Sequence, residues 1–200
     1  MLIDDFLPVY DVSDAVATLV HADVETTWRA LLDVDLIEVG RRRPLVGVLG
    51  ALRMLPELVS HLLHGEPPPK GPTRLRLRDL PTLPASGGGW VLLGEREAEE
   101  IALGLVGRFW KPMIECAKVP ADRFAAFSAP GYAKTIYALS IRPLDAGRTL
   151  LTGTMRTATT DETSRRWFRA YWTLGVGSGA HVLVQGLLDV ARENAESARA

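Results

Sequence analysis

Cysteine is almost missing from this chain: Cys116 is the only one in 200 residues. No disulfide can close within the chain and no thiolate metal site can be assembled from it, so a reducing interior suits it. Net charge is equally scant. Lysine and arginine together number 23 against 24 Asp and Glu, a balance of −1, which removes any general electrostatic pull toward nucleic acid. The opening residues Met1 to Phe6 lack the basic region and long apolar core of a signal peptide, so a cytoplasmic protein is expected. No unbroken bilayer-length run is present either. Pro44 to Leu63 is long enough, but Arg53, Pro56 and Glu57 interrupt it, and polar groups and proline are costly at membrane depth.

Two familiar chemical signatures are also missing. Ser178 lies between glycines, but Val176 and Ala180 stand where the outer glycines of a nucleophile elbow belong. Gly175-x-Gly177-x-Gly179 has the look of a phosphate loop, yet it follows an amphipathic helical run and not a strand, so the context of a dinucleotide site is lacking.

What is present describes an ordinary globular chain. Hydrophobic residues make up 47% and charged residues 24%, enough to build one domain with a core over residues 1–200. Charge is unevenly placed: residues 1–40 carry nine acidic groups and one basic, residues 41–80 eight basic and three acidic. Such a dipole either steers a partner or lets neighbouring segments face one another.

The strongest pattern closes the chain. From Asp161 to about Glu196, Trp167, Phe168, Tyr171, Trp172, Leu174, Val182, Leu183, Leu187 and Val190 recur at helical spacing. Thr159 and Glu162 have the spacing of a capping box at its start. The glycines at 175, 177 and 179 cost a helix roughly 1 kcal/mol each against alanine, which predicts a kink, a break or the close approach of another element.

Ahead of that helix the chain reads mostly as strands. Residues 14–21 alternate as a strand, and Asp23 caps a helix to about Asp33 with Trp28 buried beneath it. The segment 41–80 is basic and proline-rich. It opens with Arg41, Arg42 and Arg43, continues as a kinked amphipathic helix with Leu45, Val48, Leu49, Leu52, Val59 and Leu62 on one face, and passes through a loop at 66–72. Arg74 to Arg78 alternates as an edge strand or an arm with a solvated basic face. Residues 90–95 and 101–110 form a strand pair, a helical turn follows Pro120, and residues 131–143 and 148–160 form a second pair across Asp145-Ala146-Gly147. An antiparallel sheet of at least five strands results, and the fold class is α+β.

This order resembles the helix-grip fold of the START-like superfamily (SRPBCC), which includes lipid-transfer domains, pollen allergens and polyketide cyclase or dehydrase relatives. His21-Ala22-Asp23-Val24-Glu25-Thr26-Thr27-Trp28 looks like the entry of that family's first helix, and Gly147-Arg148-Thr149-Leu150 like the turn of its last hairpin. The 41–80 insert departs from the pattern. The resemblance implies a curved sheet wrapped around the C-terminal helix and a small hydrophobic or amphipathic ligand between them. Gly175, Gly179 and Gly186 fall near one side of that helix, where they either let the sheet come close or leave room for a guest.

The expected ligand-binding set is Trp90, Arg108, Trp110, Tyr132, Tyr137, Arg156, Trp172, Gly179 and His181, with no cofactor. Arg108 with Trp110, and Tyr132 with Lys134, share strand faces by spacing, and Glu95 is a candidate partner for a buried arginine. His181 has the chemistry of an acid or base near neutrality. Glu57, His61 and His64 lie on one side of a helix and have ligand types for a metal, though that side is also the wet one; the leading reading has no metal. Two other readings stay open: a cyclase, dehydratase or hydrolase on the same fold, needing two titratable groups converging in the cavity, or a module using 41–80 on a membrane surface or protein partner.

Overall fold

A computed structural model describes residues 1–48, 73–83 and 89–198, together with positions 51, 55, 59, 63 and 64. The strands lie in one antiparallel sheet in the order β1 (Val12–Val20), β6 (Arg148–Thr159), β5 (Ala133–Asp145), β3 (Glu100–Arg108), β2 (Val91–Arg96). A three-residue strand β4 (Glu115–Ala117), not foreseen from the sequence, pairs with β3 beyond the end of β2. The β5–β6 turn forms as the sequence predicts, with the Gly147 amide donating to Asp145 Oδ1 at 3.0 Å.

The register sorts the sheet into two faces. Alternate residues of a strand point to opposite sides, and here both sides are covered. On one face Val16, Val20, Leu103, Leu139 and Leu151 pack with Val184, Leu187 and Leu188 of the last helix, α6 (Gly177–Ser197). On the other, Ala102, Val106, Ile136 and Ala138 meet Ile3 and Leu7, from and just after α1 (Leu2–Phe6), and Phe124 of α4 (Ala121–Phe124). Strand β3 therefore reads as a continuous apolar run, because it is buried from both sides. The α1 plug is the second element that sequence patterning missed, since five residues are too few for periodicity to register.

Helix α2 (Val24–Leu32) starts where expected, with Asp23 Oδ1 accepting the Thr26 amide at 2.8 Å and Trp28 buried. Helix α3 (Leu36–Arg42) is capped by Asp35, and residues 44–48 are helical again. Glu57 and His61, the middle of the amphipathic run and the loop at 66–72 lie outside the described residues. Of the described positions in that run, Leu45, Val48, Leu55, Val59 and Leu63 are exposed, while Val46 is buried against α6.

Residues 74–78 differ from the expectation of an edge strand. They contribute one bridge, Asp35 to Arg76, before a 3₁₀ turn at Leu77–Thr82. Asp35 Oδ1 takes the Leu75 amide at 3.1 Å and Asp33 takes Arg78 at 2.9 Å, so part of the basic row turns back to the acidic segment, while Arg74 and Arg78 remain exposed. The same happens at the arginine triplet. Arg42 reaches Glu38 at 2.6 Å, and Arg43 is paired with Glu193 and, at 3.8 Å, Asp189. The acidic and basic stretches thus neutralise each other and the last helix.

The C-terminal helix is interrupted as its glycines predict, but its cap is not the expected one. Asp161, not Thr159, opens α5 (Glu162–Tyr171), accepting the Ser164 amide at 2.8 Å and also the Gly131 amide. Thr159 stays in the sheet, where its amide and hydroxyl donate to Asp11 at 2.7 and 2.6 Å. Between α5 and α6 runs a π-type turn, Trp172–Val176, in which Gly175 takes φ +105°, a conformation that other residues adopt only with strain. Gly186 admits a close approach, but of α3 and the segment after it and not of the sheet as expected: a Cβ there would meet Val46 at 3.0 Å and Val39 at 3.5 Å.

Candidate functional site

The two faces divide the expected ligand set. Arg108, Tyr132 and Arg156 sit on the α1 side and are occupied there. Arg108 Nε donates to the Gly131 carbonyl at 3.0 Å, its Nη1 reaches Glu115 at 3.0 Å, and its guanidinium lies 4.6 Å from the Tyr132 ring centroid. Arg156 reaches Asp4 at 2.8 Å and lies 4.6 Å from the Tyr10 ring. The partner foreseen for these arginines, Glu95, serves neither. Arg108 and Trp110 do not share a face, since β3 ends at Arg108 and the chain turns, carrying Trp110 to the cluster of Phe109, Ala133 and Phe168.

On the α6 side stand Trp90, Tyr137, Trp172 and His181. Trp90 and Tyr137 are in ring contact at 5.7 Å. Burial, and then the neighbouring Tyr171 hydroxyl, pushes the Tyr137 phenol up to about 12, so it stays protonated and acts only as a neutral polar group. Over the middle of this face sheet and helix touch directly: a Cβ on Gly153 would lie 2.5 Å from Val184. Room opens at the kinked end. There a solvent-open groove of about 560 Å³ runs between β1 and the α5–α6 junction, lined by Asp14, Trp172, Gly175, Ser178, His181 and Val182 among others. That volume lies within the range of small-molecule sites, ~300–1,000 Å³.

Local structure explains each wall. Gly175 bends the helix, and the missing side chain of Gly177 lets the Trp172 indole fold over it, since a Cβ there would come within 2.7 Å of the ring. Trp172 also rests on Phe168 with centroids 5.7 Å apart. His181, one turn after Ser178, has its Nδ1 2.9 Å from Asp14 Oδ2 of β1. Gly179 is half-buried in the first turn of α6 and does not line the groove.

Asp14 is the residue that sequence reasoning passed over. Its signal was legible: it is a charge on the face that Val16, Thr18 and Val20 bury, and a lone inward carboxylate on a buried strand face calls for a partner.

Chemically the groove offers an apolar aromatic wall, the hydroxyl-bearing residues Thr173 and Ser178, and one oriented histidine. No hydrogen bond joins Ser178 to His181, so the contact that activates a serine nucleophile is not made. Among the described residues no three His, Cys, Asp or Glu side chains are grouped to hold a metal ion. By length and composition the stretch Glu162–Ser197 is apolar enough to cross a membrane, with 33% of its most apolar window buried in the fold; a helix covering a sheet has the same composition.

No family model matches this chain, and no curated protein does. Among solved structures, a conserved protein from Geobacillus kaustophilus is 12% identical over 93% of this chain and 96% of its own, with a TM-score of 0.42. A hypothetical protein from Helicobacter pylori is 10% identical over 94% and 93%, with a TM-score of 0.39. Neither likeness bears on function.

Proposed function

We propose that this chain is a helix-grip binding protein that holds a small amphipathic molecule in the groove between β1 and the kink of the C-terminal helix. The observation that carries this reading is the groove itself, about 560 Å³ with Trp172 on one side and the His181–Asp14 pair on the other. An apolar body gains by leaving water against the indole, at roughly 25 cal/mol per Å² buried, and the polar end meets hydroxyls and the histidine pair. Asp14 and His181 are the two converging titratable groups that an enzyme on this fold would need, but no nucleophile joins them, since Ser178 is not engaged by His181, and the binding reading is therefore preferred.

Native mass spectrometry of the purified protein, followed by extraction of whatever remains bound, tests the proposal. A stoichiometric small amphiphile whose retention is lost in Trp172→Ala is the expected result. A clean apo mass, with no thermal stabilisation by 1-octanol, octylamine or octanoate, would overturn it.

A further inference from the structure

The charge of the groove selects among amphiphiles. Of the nine residues lining it, Asp14 and His181 are the only titratable ones. Asp14 is the one acidic side chain among them, and no lysine or arginine lines the groove. Arg156, next to Asp14's strand neighbour Ser13 in register, is turned to the other face and held by Asp4. Arg192 lies along α6 at Thr18 and Asp189, and Arg169 is exposed and does not line the groove.

The acceptors are arranged to match. His181 takes Asp14 Oδ2 at 2.9 Å, and no hydrogen bond engages Oδ1. Thr173 spends its hydroxyl proton on the Arg169 and Ala170 carbonyls, at 3.0 and 3.1 Å, so it has no proton left to donate to a ligand. Ser178 adds a hydroxyl-bearing residue, and Trp172 supplies an electron-rich ring. A primary ammonium has three donors and no acceptor, and a cation is attracted by both a carboxylate and an indole face. A carboxylate or phosphate ligand would meet Asp14 as a like charge.

We infer that the groove is selective for cationic amphiphiles, a protonated amine on an apolar body, with Asp14 as the residue that sets the selectivity and Trp172 as the apolar wall. This rests on the binding reading above. Isothermal titration calorimetry at about pH 8, where an alkylamine is still charged, compares octylamine, 1-octanol and octanoate, three ligands of one chain length with positive, neutral and negative heads. Octylamine is expected to bind about tenfold more tightly than octanol, with octanoate weakest. The preference should shrink in wild-type protein as salt is raised and vanish in Asp14→Asn, which keeps a hydrogen-bonding partner for His181. Equal binding of octanol and octylamine, or tighter binding of octanoate, would overturn the inference and leave the groove reading standing. Binding of none of the three removes both. The salt series in wild-type protein gives the answer even where the variant fails to fold.

Discussion

The two faces of this sheet are made from alternate residues of the same strands, yet they are closed in opposite ways. On the α1 face, short elements press apolar side chains onto the strands, and the arginines that rise from it are taken up by Asp4, Glu115 and aromatic rings. On the α6 face, one long helix covers the strands back to Gly175, where the chain bends and a groove opens between β1 and the α5–α6 junction. Arginines paired on the closed face serve structure, while the Asp14–His181 pair, beside a backbone break, lines an open groove. A cationic residue pointing out of a sheet is thus a poor guide to a ligand unless its acidic partners are known.

The two faces should respond differently to substitution, and the largest effect is expected on the closed face. Phe124 is fully buried against Leu93 and Gly104, so Phe124→Ala should cost about 3–5 kcal/mol in urea unfolding. Octylamine affinity of the folded protein should stay as in wild type. Gly175→Ala acts on the open face: with φ at +105° the substitution should cost about 1–3 kcal/mol, and it should change octylamine binding because the groove depends on the bend. Arg156→Ala removes the Asp4 pair and the stack on Tyr10. Since Asp4 is half exposed, about 1 kcal/mol or less is expected, with no change in ligand binding; a loss of binding would put the site on the wrong face.

The smallest effect is a pH dependence that involves neither face's ligand chemistry. Amides of Ser164 and Gly131 and the Ser164 hydroxyl hold the Asp161 carboxyl at about 2, below its ordinary 3.8. A depressed folded-state pKa contributes stability above the unfolded value, and that contribution fades as pH falls from about 4 toward 2. Asp161→Asn should therefore melt lower than wild type near neutrality, and the two melting curves should converge toward pH 2. Asp11 behaves alike in direction: burial raises its carboxyl, but hydrogen bonds from Thr159 and Arg165 outweigh that and lower it.

How much of this was legible depends on the range over which each residue acts. The strands other than β4, the Asp23 cap and Trp28, the hairpin at Asp145 and the break at Gly175 all follow from neighbours within a few positions, and local pattern found them. The cap at Asp161 was misplaced by two residues because Thr159 and Asp161 both have capping chemistry. Only the pairing of β6 with Asp11, 148 positions away, decides between them. The site failed in part for the same reason. Arg108, Tyr132 and Arg156 were read as pocket residues because strand spacing tells which residues share a face but not which face a helix will cover. Asp14 and His181, 167 positions apart, come together only once β1 lies against α6.

The most direct test of the account maps where an amphiphile lands. Backbone amide shifts in a ¹H–¹⁵N spectrum titrated with octylamine should move at residues 13–14 and 172–182, leaving Arg108, Tyr132 and Arg156 unchanged. Shifts confined to those three and to α1, or none anywhere, would contradict a binding groove at the helix kink.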